Sequence, residues 1–80
     1  MKQKLELKIR EIIHEELDIP LKKISPNSLF VEDLGADSFD TANILTAIYA
    51  ETKIEISNEE AQTFKKVNDL IRHIDKKRNR

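Results

Sequence analysis

The sequence predicts an all-α protein: a small four-helix bundle of three longer helices and one short one, with a long loop between the first two. Three observations carry this. The chain holds one glycine and two prolines in 80 residues, so little interrupts helices. Apolar residues recur at spacings of three and four in three separate segments. No stretch alternates apolar and polar residues as a half-buried strand would, and no internal repeat is visible.

The first segment places Leu5, Ile9, Ile12, Ile13 and Leu17 on one face, with lysines and glutamates between them. This helix should end near Leu17, because Asp18-Ile19-Pro20 disfavours continuation. A long connection follows from Asp18 to Asp37, containing Pro20, Pro26, Asn27, Ser28 and Gly35. Loops of that length are uncommon in compact domains and are often functional. Ile19, Leu21, Ile24, Leu29, Phe30 and Leu34 can pin it to the core. A second helix should start at Ser38, with Asp37 as N-cap and Asp40 completing a capping box. Ile44, Leu45 and Ile48 form its apolar stripe, and Phe39, Ala42, Asn43, Thr46, Tyr49 and Ala50 fall elsewhere. Ser57 and Glu60 repeat the capping-box spacing and mark a short third helix. The last helix carries Phe64, Val67, Leu70, Ile71 and Ile74, and the tail from Asp75 to Arg80 should fray.

One domain spanning residues 1–80 is all this length suits. A chain this short buries only about 60% of the surface its unfolded form exposes, which leaves little room for a deep catalytic cleft. The absence of cysteine removes disulfides and thiolate metal sites. Nothing approaches the roughly 20 apolar residues of a membrane span, and no targeting segment opens the chain, so a cytoplasmic monomer is expected.

The net charge is −1, but the charges are segregated. Between Glu32 and Glu60 the acids are Glu32, Asp33, Asp37, Asp40, Glu51, Glu55, Glu59 and Glu60, with Lys53 the only base. Lys2, Lys4, Lys8 and Arg10 lie at one end of the chain, and Lys76, Lys77, Arg78 and Arg80 at the other. An acidic centre attracts basic partner surfaces and speeds encounter. It argues against nucleic-acid binding, which wants a concentrated basic surface, despite the terminal Lys76-to-Arg80 run. No nucleophile–base pair, metal cluster or glycine-rich phosphate loop points to an enzyme or a metal site. His14 and His73 read as ordinary, surface-leaning helix residues.

The informative segment runs from Phe30 to Asp40, FVEDLGADSFD. With the early stripe Ile9, Ile12, Ile13, the pair Glu55-Ile56, the run Glu59 to Ala61, and Val67 with Ile71, it resembles the acyl carrier protein family over essentially the whole chain. VEDLGADS is the form common in the bacterial fatty-acid-synthesis carriers. The resemblance implies that Ser38 carries a 4′-phosphopantetheine arm. It also implies that a phosphopantetheinyl transferase, bringing magnesium and coenzyme A, does the attachment, so the chain is a substrate and carrier and not itself an enzyme. The local chemistry is compatible. A phosphodiester on Ser38 would lie at the positive end of the second helix, and Gly35 lets the backbone turn just before it. Asp37 and Asp40 would repel an incoming phosphate unless a metal or a basic partner intervened.

Partner docking is expected on Asp37, Phe39, Asp40, Ala42, Asn43, Thr46 and Tyr49, facing fatty-acid-synthesis and acyl-transfer enzymes with basic patches. The resemblance further implies an acyl pocket shaped by Ile44, Ile48, Thr52, Phe64 and Ile71. Departures bear on both. Typical members carry glutamates along the exposed face of the second helix, where this chain has Asn43, Tyr49 and Ala50 and keeps Glu51. Exposed charge pairs contribute about 0.2–1 kcal/mol each, so their loss redirects partner choice more than it abolishes docking. Phe39 replaces the usual leucine, and Thr52 stands where a core phenylalanine is common. These substitutions suggest a narrower partner set. Two alternatives stay open: a specialised carrier of D-alanyl, polyketide or peptidyl type, and a helical protein-binding module without a prosthetic group. Replacing Ser38 separates the module from any carrier.

Overall fold

The computed structural model describes residues 2–78. Its elements are α1 (Lys2–Leu17), a single 3₁₀ turn (Leu21–Lys23), α2 (Ser38–Thr52), α3 (Asn58–Ala61) and α4 (Val67–Arg78). Among the described residues there is no strand, only one isolated antiparallel bridge between Leu29 and Lys66. The expected four-helix architecture is therefore the observed one. The core is the predicted set of stripes: Leu5, Ile9 and Ile13 of α1, Ile44 and Ile48 of α2, and Val67, Leu70, Ile71 and Ile74 of α4 are all essentially buried.

α1 ends where expected, and Asp18 makes the stop by adopting a left-handed φ of 56°. The loop that follows is tied down at both ends. From α1, Arg10 donates through Nε to the Ile24 carbonyl at 2.6 Å and through Nη2 to the Leu21 carbonyl at 3.1 Å. His14 Nδ1 donates to the Ile19 carbonyl at 2.6 Å, so this histidine is a loop anchor, not a surface bystander. At the far end the loop supplies the N-terminus of α4. Val67 N–H donates to the Ser28 carbonyl and Asn68 N–H to the Pro26 carbonyl, at 3.0 and 2.8 Å. Buried Ile24 and Leu34 complete the anchoring, as their apolar character predicted.

Two expectations about α4 are corrected. Phe64 lies before the helix, not in it. Asp69 reaches back to accept the Lys65 and Lys66 N–H groups, both at 3.0 Å, and this defines a start at Val67. The tail does not fray from Asp75: α4 continues through Arg78. Lys77 Nζ donates to the Glu55 carbonyl at 3.1 Å, and the basic last turn complements the negative end of the helix. Asn79 and Arg80 lie outside the described residues.

Candidate functional site: the turn into α2

The turn from the long loop into α2 is built by local hydrogen bonds. Gly35 N–H donates to the Val31 carbonyl at 3.0 Å and Ala36 N–H to the Phe30 carbonyl at 2.9 Å, which folds Phe30 to Ala36 on itself. Gly35 sits at φ 68°, in the left-handed region, and a Cβ there would meet nothing within 4 Å. Glycine is needed for the backbone angle alone. Ala36 and Leu34 then bury themselves, and Asp37 turns outward in extended conformation as the N-cap.

The predicted capping box is present in both directions. Asp37 Oδ1 accepts the Asp40 N–H at 2.8 Å, and Asp40 Oδ2 accepts the Asp37 N–H at 3.2 Å. The Asp37 carbonyl accepts both the N–H and the hydroxyl of Thr41, at 2.9 and 3.0 Å. Ser38 is thereby fixed as the first helical residue with its side chain exposed. Its hydroxyl makes no hydrogen bond with any described residue, and the Ser38 and Phe39 N–H groups are likewise left without a protein partner. A free hydroxyl and two free amides at a helix N-terminus suit a serine-linked phosphodiester: an oxygen to bond through, and donors plus dipole to hold the anion.

A cleft of about 710 Å³ opens beside Ser38, between α2 and the α3 segment. Ile44 and Leu45 of α2, Ala61 of α3, and Phe30 and Phe64 from the flanking loops line it. Of the residues expected to shape an acyl pocket, the structure brings Ile44 and Phe64 to this cleft. Ile48 and Ile71 are packed in the core and do not reach it. Thr52 faces a separate recess with Lys4, Leu5, Lys8, Glu51 and Arg78. Its hydroxyl is occupied, donating to the Ile48 carbonyl at 2.7 Å and accepting the Ile54 N–H at 3.2 Å. Sequence reasoning missed Ala61, Phe30 and Leu45 as cleft residues. Ala61 gave the one usable signal, a small residue closing a short capped helix.

The residues expected to dock partners come together on the surface. Asp37, Phe39, Ala42, Thr46 and Tyr49 are exposed, whereas Asp40 and Asn43 are half-buried. Phe39 keeps 72% of its surface and Tyr49 49%, unusual for aromatic residues on so small a domain. Thr46 donates its hydroxyl to the Ala42 carbonyl at 3.0 Å, bonding back to its own helix one turn earlier. Glu51, the acid retained at the far end of α2, is paired with Lys8 Nζ at 2.7 Å. That bond holds its carboxyl below the usual range and raises the Lys8 ammonium.

Residues 7–74 match the family described as the phosphopantetheine attachment site. The chain belongs to the acyl carrier protein family. It is 42% identical to the acyl carrier protein of Solidesulfovibrio magneticus over 71 residues, covering 89% of this chain and 91% of that one. It is 45% identical to the acyl carrier protein of Buchnera aphidicola over 73 residues, with 91% of each chain covered. Among solved structures, one assigned as an acyl carrier protein from Mycobacterium tuberculosis superposes with a TM-score of 0.81 at 31% identity, covering 89% of this chain and 95% of that one. The cofactor of the family, covalently attached 4′-phosphopantetheine, is accordingly that of this chain. Members of this family are carriers, not enzymes. No helix among the described residues is long and apolar enough to cross a membrane.

Proposed function

We propose that Ser38 is the attachment residue, that a phosphopantetheinyl transferase loads it from coenzyme A, and that the loaded chain presents acyl thioesters to fatty-acid-synthesis or related lipid-synthesis enzymes. One observation carries this: an exposed, unpartnered hydroxyl at the first position of α2, beside two free amides and at the mouth of an apolar cleft. When bound, the arm supplies a terminal thiol that holds an acyl group as a thioester. The protein's part is to fix the serine, to hold the phosphodiester at the helix N-terminus, and to offer the cleft to the acyl chain. No base is needed on this chain, because the transferase removes the hydroxyl proton.

Docking is proposed on Asp37, Phe39, Asp40, Ala42, Asn43, Thr46 and Tyr49. Asp37 and Asp40 meet basic side chains of the partner next to Ser38. The stripe beyond them, through Phe39, Ala42, Thr46 and Tyr49, is exposed and uncharged, so contact there depends on fit more than on charge. The chain works as a monomer in the cytoplasm.

To test the pathway, the loaded chain is offered to two enzyme sets, one transferring malonyl and elongating acyl chains, the other activating D-alanine. Acyl elongation on the wild-type chain, absent in Ser38→Ala, supports the reading. D-alanyl loading without elongation replaces it with the specialised carrier.

A further inference from the structure

One wall of the cleft is α3. It is four residues long, too short to persist as an isolated helix, yet Ala61 on it and Phe64 just after it close one side of the space beside Ser38. Glu60 holds it in place with both carboxylate oxygens. Oε1 accepts the Ser57 N–H at 2.9 Å and completes the capping box. Oε2 faces α4, 3.4 Å from His73 Nε2 and 3.6 Å from Lys77 Nζ. The His73 ring in turn packs on Phe64 with centroids 5.1 Å apart, so the ion pairs and the cleft wall form one assembly.

The state of His73 is unusual. Its Nε2 is shielded from solvent and makes no hydrogen bond, although Glu60 lies within ion-pair range. A buried ring nitrogen without a partner is costly, and a proton on the ring converts it into a cation facing a carboxylate. Glu60 stays charged through that change. Its carboxyl is held below the usual range, first by the Ser57 N–H and then by Lys77 and His73. Other charges lie close by: Asp69, Arg72, Asp75 and Lys76 of α4 line a surface recess with His73, separate from the cleft, and Lys77 competes for the same Glu60 oxygen. From α3, Glu60 is the acid within ion-pair distance of His73 among the described residues.

We propose that Glu60 and His73 are positioning residues forming a proton-dependent clasp, which holds α3 against α4 and sets how far the cleft beside Ser38 opens. With a proton on His73 the clasp is closed. Without it, Lys77 is the remaining tie from Glu60 to α4, the Ser57 bond within α3 being unchanged, and the α3 wall loosens. The consequence for cargo rests on the carrier reading; the behaviour of α3 does not.

The test is hydrogen exchange of the Ala61, Gln62 and Phe64 amides, which bond to the Ser57, Asn58 and Ala61 carbonyls. Rates are compared at about pH 5.5 and about pH 7.5, each corrected for intrinsic exchange, bracketing the range where histidine titrates. Opening of α3 should be about two- to fivefold rarer at the lower pH, the effect of one half-exposed ion pair. His73→Phe keeps a ring against Phe64 and Glu60→Gln keeps the Ser57 acceptor, yet both should erase the pH difference. A difference that is absent in wild type, or that survives in His73→Phe, overturns the clasp. With a short acyl thioester on the arm, hydroxylamine cleavage, normalised at each pH to the same thioester on free pantetheine, should follow the same pattern. If the chain takes no arm, the carrier reading fails, while α3 exchange still decides the clasp.

Discussion

Replacing Asp37 separates its two jobs, because one belongs to the fold and the other to the proposed docking. Asp37→Ala removes the acceptor of the Asp40 N–H, a 2.8 Å bond, and the negative charge at the start of α2. The Asp37 carbonyl still accepts from Thr41, so the turn itself persists. The lost cap costs about 1 kcal/mol and the lost charge about 0.3–1 kcal/mol, so about 1.5 kcal/mol together. In a domain this small each kcal/mol moves the Tm by about 4–8 °C, and Asp37→Ala should melt about 6–12 °C lower. Asp37→Ser keeps an oxygen acceptor and forfeits only the charge, for a fall of about 1–8 °C that stays smaller than that of Asp37→Ala in the same assay. Thermal unfolding followed by circular dichroism reads both. Loading by the transferase, measured well below either Tm, should fall in both variants alike, since both lack the carboxylate. Equal melting of Ala and Ser variants, or an unchanged Tm for Asp37→Ala, would refute the assignment of the cap.

Gly35→Ala should cost about 1–2 kcal/mol in denaturant unfolding with an unchanged m-value, because the residue at φ 68° meets only a backbone penalty and no neighbour. Lys53, at φ 62° as the C-cap of α2, predicts the reverse: Lys53→Gly should gain up to about 1 kcal/mol in the same assay. Ile48→Ala, at a fully buried core position, should cost about 2–5 kcal/mol while leaving the cleft beside Ser38 unchanged in shape. Stability should also fall in acid. The Glu60 and Asp69 carboxyls are held low by backbone N–H bonds, Glu60 through Ser57 and Asp69 through Lys66 and Lys65. The unfolded chain therefore binds more protons, so their contribution is complete above the ordinary carboxylate range near about pH 4 and is lost as pH falls through the lowered values. Asp69→Asn should flatten that acid limb of the Tm-versus-pH curve.

What could be read from the sequence was what nearby residues decide. Both capping boxes, Asp37 with Asp40 and Ser57 with Glu60, stand at the predicted spacing because each bond closes within four residues. The apolar stripes gave the core for the same reason: helical periodicity tells which side faces in. It does not tell which part of the interior opens to a cleft. Ile48 and Thr52 lie one and two turns beyond Ile44 on α2, but only Ile44 reaches the space beside Ser38. At the start of α4 a local signal, Asp69 accepting from Lys65 and Lys66, competes with apolar periodicity that runs back to Phe64. The bonds that reinforce the Val67 start reach Ser28 and Pro26, far away in sequence, while Glu55 holds the last turn. His14 and His73 looked ordinary for a related reason. One anchors a loop and the other faces α3, and neither partner is its neighbour along its own helix.

The most direct measurement is the intact mass of the wild-type chain and of Ser38→Ala after incubation with coenzyme A, magnesium and a broad-specificity phosphopantetheinyl transferase. A gain of one phosphopantetheine in wild type, mapped to the peptide holding Ser38 and absent from the mutant, is the predicted result. An equal gain in Ser38→Ala would place the arm elsewhere, and no gain in a folded wild-type chain would contradict the carrier account.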